Sequence, residues 1–338
     1  MLDIFNNSAF SVTSMTDAIN KIKYVPARIG QLGLFTASGV TTTSVAIEEK
    51  NGLLTLVAPT ARGAAGTTVD KAKRSMLSVR VPHFEINDAV YAEEVQGVRA
   101  FGSEDAADTV AAMIAERQAI HSQSLAATEE HARIGAIKGI VTYADNSSLN
   151  LFSLFGVTQE SEIDWDLDNA TPASGVLRKK AAGVVRQMAN ILEGTPFSGI
   201  HAFCGDAFFD DLISHPEVRE TYLAQAEAGQ LRNAYVSGGD SYGTFNFGGI
   251  TWENYRGAVG GTSFVETDKV HFFPLGVPGL FRTYYAPADY NDTVNTLGQR
   301  LYARMYEMAN GKGMHMDVQM NSLNICTRPK VLIKGKRT

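Results

Sequence analysis

Residues 38–82 constrain the fold more than any other stretch, because they form β structure on both sides of a glycine-rich gap and carry little to pack against. The run VTTTSVAIEEKNGLLTLV, within Ser38 to Val57, is rich in Thr, Ser, Val and Ile with partial alternation, which favours extended strand. It breaks at Asn51-Gly52, a turn dipeptide. PTARGAAGTT, from Pro59 to Thr68, is small and flexible and reads as a loop tip. KAKRSMLSVRVPHF then returns as a second strand. A two-stranded ribbon is marginal alone in water, so a partner surface must be supplied from elsewhere.

The rest of the chain segregates helices from strands. Residues 1–35 read as an arm, with a helical turn or two over Asp17–Ile22 that Pro26 interrupts. Ser103 is placed to cap a long helix, with Glu104, Asp105 and Asp108 in its first turns. The spacing predicts helix over 103–134, a rod of about 45 Å ending near Gly135. A second helix is expected from Thr171-Pro172 to Gly194, with Val176, Leu177, Val184, Val185, Met188, Ile191 and Leu192 repeating so that one face is buried. GIHAFC reads as a strand, GDAFFDDLI as a short helix, and His215-Pro216 as the start of another. Residues 224–243 are Ala-, Gly- and Ser-rich and read as loop. FNFGGITWENY predicts a hairpin turning at Gly248-Gly249. A last hairpin turns at Asn310-Gly311, followed by a terminal strand KVLIK. This order favours an α+β fold over a doubly wound sheet.

Composition excludes several function classes. The 338 residues are 44% hydrophobic and 20% charged, ordinary for a chain with a real core. The net charge of -6 argues against binding nucleic acid by neutralising phosphates, though not against enclosing it. No apolar run approaches the roughly 18 residues of a membrane span, and the start lacks the basic flank and apolar stretch of a signal peptide. Cys204 and Cys326 are far apart and outside any C-x-x-C pattern, so both are expected as buried free thiols.

Few motifs suggest chemistry. Gly239-Asp240-Ser241-Tyr242-Gly243 matches G-x-S-x-G, but a nucleophile elbow needs a strand before Ser241 and a helix after it. Here a Gly-rich loop precedes and β-like TFNF follows. Seven histidines occur in no compact ligand set; His121 and His131 stand about 15 Å apart along one helix, too far to share a metal. Gly311-Lys312-Gly313 lacks phosphate-loop spacing. Asp210-Asp211 and Glu129-Glu130 are adjacent pairs expected at solvated surface. No catalytic, cofactor or metal site is expected.

Charge is uneven along the chain. Residues 59–80 carry Arg62, Lys71, Lys73, Arg74 and Arg80 against Asp70, a net of +4. Residues 84–130 carry ten acidic side chains, Glu104, Asp105, Asp108 and Glu116 among them, against Arg99 and Arg117, a net of -8. One reading is two ordinary solvated surfaces. The other lays the basic ribbon on the acidic helix of a neighbouring copy, a contact that sets register and weakens with salt.

The layout resembles the capsid protein E family, the lambda-like major capsid proteins of tailed phages. The resemblance is carried, in order, by KIKYVPARIGQLGLF, VAIEEKNGLLTLVAPTARGAAG, KRSMLSVRVPHF, INDAVYAEEVQGVRAFG, HARIGAIKGIVTY, HAFCGDAFFDDLI and MDVQMNSLNICTRPKVLI. It implies an HK97-like fold: an N-arm (1–35), an E-loop (36–82), a P-domain (83–194) with a spine helix (103–134), an A-domain (195–299) and returning P-domain strands (300–338). It also implies hexamers and pentamers closing into an icosahedral procapsid that expands around double-stranded DNA, assembled in the host cytoplasm. A separate scaffolding protein and a portal are the implied partners, and decoration proteins often cement shells of this kind. Two alternatives stand beside it: an encapsulin-like compartment of the same fold enclosing an enzyme cargo, and a soluble serine hydrolase using Ser241.

Overall fold

The computed structural model describes residues 28–50, 74–95, 106–169, 171–223, 243–259 and 262–338. In chain order the principal elements are the ribbon strands β1 (Ser44–Lys50) and β2 (Arg74–Arg80), then β3 (Phe84–Tyr91) and the long helix α1 (Ala106–Lys138). Helix α2 (Val176–Leu192), β4 (Gly199–Cys204), α3 (Asp206–Ser214) and α4 (Pro216–Leu223) follow. The chain then forms β5 (Thr244–Phe247), β6 (Ile250–Asn254), β7 (Lys269–Leu275), β8 (Tyr302–Glu307), β9 (Gly313–Met320) and β10 (Ile333–Lys336). Contacts divide it into two compact units, one of residues 1–45, 79–133 and 281–325, the other of 46–78, 134–280 and 326–338.

In the first unit β8, β9 and β3 form an antiparallel sheet, with Tyr302 opposite Gln319 and Asp317 opposite Asn87. The sequence GMHMDVQM of β9 dictates its packing, since alternate side chains leave a strand on opposite faces. Met314, Met316, Val318 and Met320 join Val90, Ala303, Met305 and Leu301 against Ile114 and Leu125 of α1. Beside this sheet, Phe35–Gly39 runs parallel to Phe281–Tyr285, Phe35 opposite Phe281.

The second unit holds a mixed six-stranded sheet in the order 163–164, β10, β7, β4, β6, β5. β6 runs parallel to β4, and β7 antiparallel to it. Its core is aromatic. Trp252 lies edge-on to Trp165 at 5.1 Å and to Phe272 at 5.4 Å between ring centroids, and its indole N–H donates to the Phe247 carbonyl at 3.0 Å. Such offset contacts suit the aromatic quadrupole better than face-to-face stacking. The Gly248-Gly249 turn between β5 and β6 forms as expected, with positive φ at both glycines. The Asn310-Gly311 turn between β8 and β9 forms too, as do β4, α3 and α4.

Three boundaries differ from expectation. Helix α1 runs past Gly135 to Lys138. Gly135 is not a stop: a Cβ there would sit 2.7 Å from the Cα of Val141, so glycine serves close backbone approach and Gly139, at φ +83°, ends the helix. The expected start near Ser103 lies outside the described residues. Helix α2 begins at Val176, not at Thr171-Pro172. Its first amides are capped from a distance, because the buried Glu217 carboxylate of α4 accepts from Leu177 N at 3.0 Å and Arg178 N at 3.1 Å. The terminal strand is shorter and later than KVLIK, since a 3-10 turn over Pro329–Val331 precedes β10.

Two glycines should respond oppositely to alanine. At Gly183, inside α2, an added Cβ meets nothing within 4 Å; Gly183→Ala should stabilise the subunit by up to about 1 kcal/mol. At Gly335 a Cβ would lie 2.4 Å from the Trp165 indole nitrogen; Gly335→Ala should destabilise by about 1–3 kcal/mol. Denaturant unfolding of the purified subunit checks both.

Candidate assembly surface

The ribbon is anchored by alternation. Val45 and Ile47 of β1 and Val79 of β2 are buried, while Ser44, Ala46, Ser78 and Arg80 between them are exposed. β1 and β2 pair with each other and with no further strand among the described residues. Val81 N donates to Thr43 O at 2.9 Å at the ribbon's base. Of the expected basic contacts, Arg74 opens β2 and Arg80 closes it; Arg62, Lys71 and Lys73 lie outside the described residues, as do the Asn51-Gly52 turn and the Pro59–Thr68 tip. Of the expected acidic counterpart, Glu116 is exposed on α1 and Asp108 lies in its first turns. Glu104 and Asp105 lie outside the described residues.

The acidic stretch is not one solvated face. Glu129 and Glu130, expected at the surface, are 1% and 2% exposed. Glu129 accepts from Arg133 Nη2 at 2.9 Å, Arg300 Nε at 2.9 Å and the Tyr285 hydroxyl at 2.6 Å. Glu130 accepts from Ile29 N at 2.9 Å. Adjacent helical residues point about 100° apart, so each carboxylate serves a separate partner, most of them distant in sequence. Asp88 is also spoken for: His121 Nε2 lies 2.9 Å from its carboxylate and Arg117 Nη1 3.3 Å away. Arg117 also pairs with Glu94, clipping α1 to β3 and the short helix after it. Burial works to raise the Asp88 pKa, but bonds from His121 and the Ala89 amide, with the Arg117 charge, hold it below the usual carboxylate range.

No group of three or more His, Cys, Asp or Glu among the described residues could hold a metal ion. Both thiols are free and buried as expected, and burial pushes Cys326 up to about 12, far from a reactive thiolate. Ser241 lies outside the described residues, but β5 (Thr244–Phe247) follows it, where a nucleophile elbow requires a helix. Asp211 pairs with Arg337 at 3.1 Å. No helix of the described residues is long and apolar enough to cross a membrane.

Two measurements test this electrostatic frame. Glu129→Ala leaves buried cationic donors without their acceptor and should cost about 3–5 kcal/mol, with Glu129→Gln costing less; denaturant unfolding reads both. Asp88 has a lowered folded pKa, so its stabilisation is present above the unfolded carboxylate pKa and is lost as pH falls through the folded one. Asp88→Asn should therefore lower stability at neutral pH and flatten the loss on acidification below about pH 4. A pH series of unfolding midpoints in which both proteins fall in parallel would refute this role.

Comparison with known proteins places this frame. A family model for phage major capsid protein E matches residues 11–337. The chain is 28% identical over 343 residues to the major capsid protein of Pseudomonas phage KPP10, across 97% of each chain. It is 27% identical over 364 residues to that of Salmonella phage Felix O1 (isolate Felix O1-VT1), across 98% of each. Among solved structures, a candidate capsid protein of an Escherichia coli CFT073 prophage is similar with TM-score 0.60 at 10% identity, over 97% of this chain and 99% of that one. That likeness shows the α+β fold of HK97-like capsid proteins. With a family match spanning nearly every residue, the chain belongs to the phage major capsid protein E family.

Proposed function

We propose that copies of this chain close into hexamers and pentamers that build an icosahedral phage head around double-stranded DNA, without catalysis. The observation that carries this reading is the family match over residues 11–337. The ribbon adds physical support, since its strands find no third strand among the described residues and an isolated ribbon gains stability from a neighbour. In this reading residues 36–82 act as the E-loop, 103–134 as the spine helix within a P-domain of 83–194 and 300–338, and 195–299 as the A-domain. Heterologous contacts with rotational closure then make rings. The net charge of -6 suits a wall along which packaged DNA slides. A separate scaffolding protein and a portal complete the assembly in the host cytoplasm.

The basic stretch Arg62, Lys71, Lys73, Arg74 and Arg80 serves as an inter-subunit contact, facing Glu104, Asp105, Asp108 and Glu116 of a neighbour. Electron microscopy of the chain, expressed with and without its neighbouring phage genes, tests the reading. Shells or six-fold capsomers are expected, with DNA as the content of complete particles; protein cargo instead would indicate an encapsulin-like compartment, and dispersed monomers under both conditions would overturn the shell reading. Arg74→Glu or Lys73→Glu should impair assembly while the subunit stays folded. Normal shells from both single variants and the double would refute the contact.

A further inference from the structure

One small sheet of the first unit has an open edge. Phe35–Gly39 pairs with Phe281–Tyr285, and Ser322–Cys326 closes the far side of that strand. No strand flanks Phe35–Gly39 on its outer side among the described residues. Thr36, Ala37 and Ser38 are all exposed, so both faces of this strand reach solvent. Val40 N donates to Tyr285 O at 2.8 Å. Alternation then points the amides and carbonyls of Phe35, Ala37 and Gly39 away from the sheet. Protein edges of this kind are usually guarded by charge, proline or a bulge. Here neither a charged residue nor a proline occurs between Arg28 and Glu48.

Beside the edge stands a braced loop that carries two apolar side chains. Val294 and Leu297 are each 64% exposed, more than any other large apolar side chain among the described residues. Thr293 Oγ1 donates to the Ala288 and Tyr290 carbonyls at 2.7 and 3.0 Å, and Thr296 Oγ1 to Thr293 O at 2.7 Å. Gly298 N donates to Val40 O at 2.9 Å, and Gln299 N to the Tyr302 hydroxyl at 2.8 Å. Leu297 Cγ lies 3.0 Å from where a Cβ on Gly39 would stand. It therefore caps the strand face that Phe35, Ala37 and Gly39 share. Such bracing holds an apolar pair in water, where only a partner surface lets it gain by burial.

Resting on the shell reading above, we infer that this edge and loop form an interaction surface for the same edge of a second copy, paired antiparallel about a two-fold axis at Ala37. The sequence is complementary to itself in that register. Phe35 stands opposite Gly39, Thr36 opposite Ser38, and Ala37 opposite its own counterpart. The outward amides and carbonyls then fall opposite one another, as a hydrogen-bonded antiparallel register requires. Opposed side chains share a face. Phe35 of the second copy covers the bare Gly39 position and packs on Leu297, while Thr36 and Ser38 pair through their hydroxyls on the other face. Charge selects the occupant as well. Copies of a chain with net charge -6 meet here without like-charge repulsion, and a strongly charged partner has nothing to pair with. The contact is isologous and uses none of the basic residues of 59–80.

The test uses the full chain assembled into particles. Ala37→Cys sets two thiols across the axis within reach of a short bismaleimide, since opposed Cα atoms in this register stand about 5.5 Å apart. Cys204 and Cys326 are buried, and wild-type particles measure any background. A covalent dimer is expected from the particles and only background from dispersed subunits. Ala37→Lys opposes two like charges and should lower assembled yield roughly tenfold, as should Ala37→Glu. Mixing the Lys and Glu subunits should restore the yield. Thermal unfolding shows that each subunit is folded, and the cross-link keeps the test valid should a charged variant not fold. Normal particles of Ala37→Cys with no dimer above background would overturn the inference while leaving the shell reading intact. Wild-type yield from the folded Lys and Glu variants would overturn it in the same way. A wild-type chain that forms no particles under any condition would overturn both readings.

Discussion

The first unit depends on one buried carboxylate. Glu129 sits on α1 and gathers Arg133 from its own helix, Tyr285 from the end of a strand and Arg300 from the segment leading into β8. These residues lie up to 171 positions apart, so a single side chain ties the middle of the chain to its last third. A buried ion has to be matched closely or it destabilises. Glu129 is matched on both oxygens, and Glu130 beside it takes the Ile29 amide at Oε1. Together they give α1 one rotational setting: a turn of about 100° per residue would withdraw both carboxylates from their partners. The methionine-rich face of β9 is then free to be soft, because Met adapts its shape while the charges set the register.

The two sheets divide the work. The first unit's sheet is amphipathic in the ordinary sense, apolar towards α1 and polar on its other face. The second unit's sheet is buried on most of its central strands, and every residue of β4 after Gly199 is buried. A sheet that is closed inward has few side chains to offer a neighbour. The proposed inter-subunit contact accordingly draws on the ribbon and not on this buried sheet.

Much of this was legible from local signals. Alternation in GMHMDVQM, the Gly248-Gly249 and Asn310-Gly311 turns and the starts of α3 and α4 are decided within a few residues, so sequence patterns reach them. The misses share one cause. Gly135 reads as a helix end because glycine usually costs a helix stability; its actual role depends on Val141 passing close by. Thr171-Pro172 carries a local cap signal, but the cap that forms comes from Glu217. Glu129-Glu130 looks like solvated surface until Tyr285 and Arg300 are folded onto it. In each case the deciding partner is set by the folded structure, which the local pattern does not signal.

The same reasoning changes how a segment's net charge should be used. Ten acidic residues in 84–130 look like a uniform field when summed along the chain. Folding withdraws Glu129 and Glu130 into the core and commits Asp88 and Glu94 to Arg117. At the distances involved, a paired or buried carboxylate contributes little to the field that a neighbour feels through screened solvent. Among the described side chains of that segment, Glu85, Glu93 and Glu116 stay exposed, and the pairing of β9 with β3 brings Asp317 in from outside it, diagonal to Glu85. Strand register and burial, more than the linear run of acidic residues, thus decide where negative charge is presented.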